Sequence, residues 1–81
     1  MDEHQILAQV RDLIDEEHRL RERAGSGELP AEEEQAQMRR LEEALDQCWD
    51  LLRQRRARRE AGQDPEAART RPVSEVENYQ Q

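Results

Sequence analysis

Five arginines stand within seven residues in the second half of the chain, and guanidinium groups at that density are suited to binding phosphate. They are Arg53, Arg55, Arg56, Arg58 and Arg59. A phosphate-binding patch on a helix end could contact RNA, DNA or a ribosomal surface. The helix dipole also favours arginine near a helix C-terminus, and the chain is acidic overall, with a formal charge of -7. Nucleic-acid binding is therefore the alternative hypothesis for this run.

The remaining chemically active side chains do not form a recognisable site. His4 and His18 lie roughly 21 Å apart if they share a helix, and Cys48 is expected to lie away from both. The acidic clusters at 15–17 and 32–34 point in different directions around a helix, which predicts solvated faces. No phosphate-binding loop, nucleophile elbow or zinc spacing is present. We predict no catalytic, cofactor-binding or metal site, and a protein that is not an enzyme.

Cysteine usage and hydropathy indicate the compartment. Cys48 is the only cysteine, and its place in an apolar repeat suits a reducing cytoplasm. The N-terminal sequence MDEHQILAQVRDL is acidic, unlike a signal peptide. No stretch approaches the roughly 20 apolar residues of a membrane span. We expect a cytoplasmic protein that does not bind membranes.

Helices must position these residues. Asp2 is a suitable N-cap, and Gln5 completes a capping box, so the first helix is predicted from about Glu3 to Ala24. Its apolar residues recur at helical spacing, and Leu7 and Ile14 widen the apolar face beyond one seam. Gly25 is expected to end this helix in the left-handed conformation.

The second helix is predicted over residues 31–61, and it should return antiparallel to the first. Its apolar residues follow a seven-residue rhythm, namely Met38, Leu41, Leu45, Cys48 and Leu52. Because this helix is longer than the first, its arginine end is expected to overhang the hairpin. The fold class is therefore all-α, a long antiparallel hairpin at 1–61.

Residues 62–81 form a C-terminal tail of different character. Asp64 and Pro65 can start a single helical turn. Val73, Val76 and Tyr79 recur every three residues and could dock on the hairpin. From spacing alone, the tail is either loosely ordered or docked.

The apolar surface of the hairpin exceeds what one hairpin can bury. Leu7 and Ile14 on the first helix, and Leu51 and Trp49 on the second, flank the central seam. Two hairpins related by a two-fold axis would cover them as a four-helix bundle. We therefore expect a homodimer with coiled-coil-like packing.

Four segments of the chain resemble a known family. They are LIDEEHRLRE, GELPAEEE, LEEALDQCWDLLRQRRARRE and DPEAARTRPVSEVENY. Together they resemble a family of small actinobacterial proteins called domain of unknown function 2630, whose members commonly have Ser or Thr where this chain has Pro30. The resemblance implies a bacterial, cytoplasmic, helical protein and supplies no activity or ligand. It also implies that the tail belongs to the domain, which favours a docked tail.

The first functional hypothesis is a small non-catalytic interaction or scaffold protein. In it the flanking residues carry association, either with a second copy or with an unknown protein partner. The arginines offer a charged contact surface, with Arg55, Arg56, Arg58 and Arg59 as the candidates. The alternative is nucleic-acid or ribosome-surface binding through the 53–59 run.

Overall fold

The computed structural model describes the backbone of residues 1–79 and the side chains of residues 1–77. It contains helix α1 (Glu3–Gly25), helix α2 (Ala31–Glu60), a 3-10 turn (Pro65–Ala67) and helix α3 (Val73–Tyr79). No strand occurs in residues 1–79. The predicted all-α fold, a helical hairpin followed by a C-terminal tail, is confirmed.

A capping box starts α1 at the predicted residue. The backbone N–H of Gln5 donates to Asp2 Oδ1 at 2.8 Å, and the N–H of Asp2 donates to Gln5 Oε1 at 2.8 Å. The left-handed residue at the other end is Gly27, with φ of +81°, and not Gly25 as the sequence predicted. Gly25 continues the helix by one residue, Ser26 is the C-cap, and the chain reverses at Gly27.

The hairpin core lies between one face of α1 and one face of α2. Ile6 and Val10 from α1 meet Cys48 from α2 in a single buried cluster, as the spacing predicts. Leu13, Leu45 and Leu52 pack against this cluster and are half-buried. Burial of such side chains from water is the main force that holds α1 to α2.

Helix α2 starts after Pro30 without a side-chain cap and ends at Glu60. The arginine end is expected to overhang the hairpin because α2 is the longer helix, but part of this end contacts the N-terminal residues. Arg59 lies 3.6 Å from Glu3 of α1, and Arg55 donates to the carbonyl oxygen of Met1 at 2.8 Å. The N-terminal residues Met1 and Glu3 therefore cover part of this end.

The tail turns at Gly62, which has φ of +74°, and returns along α2. The side-chain amide of Gln54 donates to the carbonyl of Arg69 at 2.7 Å, and that of Gln47 donates to the carbonyl of Arg71 at 3.1 Å. Two regularly spaced α2 amides thus hold the extended segment between the 3-10 turn and α3.

Two apolar side chains complete the docking of the tail. Ala68 is buried against the hairpin core, and Val76 of α3 is fully buried. The turn at Pro65 is stabilised as expected, because Asp64 Oδ1 accepts from the N–H of Glu66 at 3.0 Å. The expected docking of Tyr79 concerns a side chain outside the described residues.

Candidate interaction surface

The tail covers one flank of the hairpin, and this changes the role of Leu51. The sequence placed Leu51 on the surface that associates with another chain. In the structure it is 7% exposed and belongs to the same cluster as Cys48 and Ala68. That part of the expectation is wrong, because the chain's own tail covers this flank.

The opposite flank is uncovered, and we call it the open flank. It consists of residues that face the side of the hairpin away from the tail: Leu7, Ile14, Leu45, Trp49 and Leu52. Trp49 is 42% exposed and Ile14 is 40% exposed, whereas the three leucines are half-buried. Leu7 and Ile14 are two helical turns apart and so share a face of α1. Three of the four predicted association residues therefore remain together and accessible.

One end of the open flank contains a groove of about 290 Å³ that combines apolar and cationic side chains. Its lining residues come from both long helices and are Glu3, Leu7, Trp49, Leu52, Arg53, Arg56 and Arg59. The helix positions explain the grouping, since residues three and four apart on α2 lie on the same side. We call this feature the arginine groove.

Carboxylates partly neutralise the guanidinium groups at the arginine groove. Arg56 Nε lies 3.2 Å from Glu60 Oε1, and Arg59 lies 3.6 Å from Glu3. Such exposed pairs contribute little to stability, so these side chains can exchange partners at low cost.

The five clustered arginines do not form one surface. Arg55 is 7% exposed and points into the molecule, which contradicts its prediction as a contact residue. It donates to the carbonyls of Met1 and Pro65, at 2.8 and 3.3 Å, and to Glu66 Oε1 at 3.2 Å. The amino group of Met1 lies 3.5 Å from the same Glu66 side chain. Arg55 therefore joins the N-terminus, α2 and the tail.

Two further details separate Arg55 and Arg58 from the others. The Nε atom of Arg55 is buried without a hydrogen-bond partner among the described residues. Arg58 is half-buried and donates to Gln63 Oε1 at 3.4 Å, on the loop after α2. Only Arg53, Arg56 and Arg59 line the groove.

Asp50 is the residue that the sequence analysis missed. Its side chain is 0% exposed, although it neighbours the exposed Trp49. Arg71 donates to it through Nε, at 2.9 Å to Oδ2, and through a second nitrogen to Oδ1. Gln54 also donates to Oδ2 at 2.9 Å. These donors, Arg71 foremost, hold the pKa of Asp50 below its ordinary value despite burial.

A signal for Asp50 existed in the spacing of polar residues. Gln47, Asp50 and Gln54 form one row on α2, and all three bond to the tail segment 69–71. The row predicts a polar strip on α2, but its partner is 21 residues away in sequence.

A second depression on α2, of about 280 Å³, has the opposite charge balance. It is lined by Glu34, Gln35, Met38, Arg39 and Glu42. Met38 precedes Leu45 by seven residues, and Glu42 precedes Trp49 by seven residues. This depression therefore lies along the same stripe of α2 as the open flank. We call it the acidic patch.

The remaining candidate groups are isolated. Burial raises the pKa of the Cys48 thiol, which disfavours the reactive thiolate. His4 and His18 are both exposed. In the part of the chain that the structure describes, no three His, Cys, Asp or Glu side chains are placed to hold a metal ion.

Comparison with protein-family profiles identifies one family. The profile of one family, described as "Protein of unknown function (DUF2630)", matches residues 2–81. The chain belongs to this DUF2630 family. The match extends through the tail, so the family domain includes the docked segment as well as the hairpin.

Relatives of the DUF2630 chain occur in mycobacteria. Uncharacterised proteins of Mycobacterium bovis (Mb0922c) and Mycobacterium tuberculosis (Rv0898c) are each 53% identical to it over 75 residues. The matched region covers 93% of this chain and 86% of each relative. No solved structure matches the chain. None of the helices described here has the length and apolar character needed to cross a bilayer.

Proposed function

We propose that this DUF2630 protein is a small, non-catalytic interaction or scaffold protein that associates through the open flank. The observation that carries the proposal is the exposure of Trp49, 42%, on the flank that the tail leaves uncovered. Tryptophan is among the residues most enriched at binding hot spots. Ile14 and the half-buried leucines extend the same apolar stripe along both helices.

The docked tail supports association through the open flank only. Because Leu51 and Ala68 are already buried together, the tail side offers little apolar surface to a partner. A symmetric bundle that uses both flanks would have to displace the tail and expose the buried Asp50. We therefore propose association through a single face, in place of the fully enclosed bundle expected from the sequence.

A cytoplasmic location is part of the same proposal. The buried, protonated state favoured for Cys48 is compatible with a reducing compartment, where thiols persist.

The test compares Trp49→Ala with Leu51→Ala. The wild type and both variants would be examined by sedimentation velocity and by affinity capture from cells of the source bacterium. We expect Trp49→Ala to lose association while it retains helicity. Leu51→Ala should lose stability but keep its association under conditions where it is folded. If wild type and Trp49→Ala behave alike in both assays, the proposal is wrong.

Nucleic-acid or ribosome-surface binding is the second candidate. The observation that favours it is the convergence of Arg53, Arg56 and Arg59 on one groove. Against it stand the net charge of -7 and the carboxylates of Glu3 and Glu60 beside two of these arginines. RNA binding that falls steeply with salt and disappears in Arg56→Ala/Arg59→Ala would support it. No binding at low salt would reject it.

A further inference from the structure

The charges of α2 are divided between its two halves. From Ala31 to Asp46 the helix carries six carboxylates and two arginines, and from Gln47 to Glu60 it carries two carboxylates and five arginines. The acidic patch lies in the first half and the arginine groove in the second. A surface with opposite charges at its two ends is complementary to itself when one copy is reversed.

The apolar residues of the open flank have the spacing that such a pairing needs. One stripe of α2 reads Met38, Glu42, Leu45, Trp49, Leu52 and Arg56, with steps that alternate between four and three residues. This is the repeat of a two-stranded helical seam. It shares Leu45 and Leu52 with the seam that packs on the α1 core, whereas Glu42, Trp49 and Arg56 extend it onto the exposed side of α2.

We propose that the occupant of the open flank is a second copy of this chain, with the two α2 helices antiparallel about a two-fold axis. This inference rests on the proposed function and specifies its partner. Trp49 of one copy packs beside Leu45 of the other, close to the axis. Met38 and Glu42 of the second copy then enter the arginine groove, and the same contacts repeat on the other side of the axis.

Each group in the contact has a suitable counterpart. In this register Met38 of the second copy lies opposite Arg56 and next to Leu52, so its apolar side chain covers the Leu52 part of the groove. Arg53 and Arg56 at its rim face the carboxylate of Glu42. A parallel arrangement would instead bring the arginine grooves of the two copies together, and like charges in contact oppose association.

The first experiment measures whether the second copy binds. Trp49 is the only tryptophan, so its fluorescence reports burial of the proposed contact. We expect the emission to shift to shorter wavelength as protein concentration rises, in step with dimer formation by sedimentation equilibrium. A wild-type protein that stays monomeric up to about 100 μM, a concentration that detects even weak association, overturns the inference.

The second experiment tests the register by charge reversal. The proposed pair of residue 56 in one copy with residue 42 in the other forms twice in the dimer. Arg56→Glu and Glu42→Arg each place like charges in both pairs, and each should raise the dissociation constant of the dimer by about tenfold or more. An equimolar mixture of the two variants should recover association as a heterodimer. The chain that carries both changes should recover the homodimer. Arg19→Glu, on the other side of α1, is the control and should dimerise like wild type.

The outcomes separate this inference from the proposed function. If the dimer forms but the charge reversals fail to complement, the antiparallel register is wrong. If the wild type is monomeric and Trp49→Ala still abolishes capture of another protein, the open flank is an interaction surface for a different occupant. The positions altered are exposed, so helicity by circular dichroism should not change in any variant.

Discussion

Arg71 binds the buried carboxylate of Asp50 through two of its nitrogens, and this pair joins the tail to the middle of α2. Asp50 is inaccessible to solvent, while the Arg71 side chain is 37% exposed. Removing Arg71 should therefore destabilise the protein more than removing Asp50. Loss of Arg71 leaves a carboxylate inside the protein, whereas loss of Asp50 leaves a guanidinium that can turn to water.

We predict that Arg71→Ala destabilises the protein by about 2 kcal/mol. Removing one partner of a wholly buried pair typically costs about 3–5 kcal/mol, and the partial exposure of Arg71 reduces the penalty. Chemical denaturation would measure the change. The control is Arg69→Ala, because the Arg69 guanidinium bonds only to carbonyls of its own segment in the described contacts. Equal effects of the two variants would contradict the prediction.

Lowering the pH should remove part of the free energy of unfolding that the contact between Asp50 and Arg71 contributes. The pKa of Asp50 is lowered in the folded protein, so its contribution is fully present above the ordinary aspartate pKa of about 3.9. The contribution is lost as the pH falls through the lowered value, because the protonated carboxyl no longer attracts Arg71. Denaturation midpoints measured between about pH 6 and pH 2 would show this. Asp50→Asn should lack that component, and an unchanged pH profile in the variant would count against it.

Arg55→Lys should be costly although it keeps the charge. A lysine ammonium cannot reproduce the planar set of bonds that Arg55 makes to Met1, Pro65 and Glu66. We expect a loss of about 1–2 kcal/mol in the free energy of unfolding. Arg56→Lys is the matched control, since its side chain is 77% exposed, and it should change stability by less than about 0.5 kcal/mol. The idea fails if both substitutions are equally harmless.

The adjacent residues Trp49 and Leu51 should respond differently to truncation. Leu51→Ala should cost about 2–4 kcal/mol, because Leu51 is 7% exposed and its removal leaves a cavity under the tail. Trp49→Ala should cost about 1 kcal/mol or less in the monomer, since its ring remains partly in water. Urea denaturation at low protein concentration would compare them. A larger loss for Trp49 would place its ring in the monomer core.

The Cys48 thiol should react slowly with disulfide reagents in the folded protein. Its raised pKa and its burial both limit the thiolate that such reagents attack. Labelling at neutral pH should accelerate strongly in denaturant. Rapid labelling of the native protein would mean that the core around Ile6 and Cys48 opens readily.

The hairpin was predictable because its signals are local. Asp2 and Gln5 fix the start of α1 within one turn, and the spacing of Val10 and Cys48 brings them into one core. The same local reasoning explains why three of the four predicted association residues lie together on the open flank. The path of the tail required information that no short stretch contains, and for this reason Leu51 was assigned to the wrong surface.

The burial of two charged residues, Arg55 and Asp50, is only weakly indicated by α2 itself, for different reasons. Arg55 lies among other arginines. Only its spacing from Cys48 and Leu52, which places it on the same face of α2, distinguishes it from Arg56. Asp50 looks solvated on α2 alone, since a carboxylate is seldom buried without a partner. Its partner, Arg71, lies in the C-terminal tail, and the spacing of the tail residues is compatible with either a loose or a docked tail.

The central position of α2 has a consequence for how the chain folds. Among the described elements, α1, the 3-10 turn and α3 all pack on α2, and each is joined to its neighbour by a short connection. The contacts thus join elements that are consecutive or nearly consecutive in the chain, a topology that favours fast folding. It also allows the last segment to detach as a separate step. The tail can therefore detach from α2 while the hairpin stays folded. This partly unfolded form has a lower free energy than the fully unfolded chain.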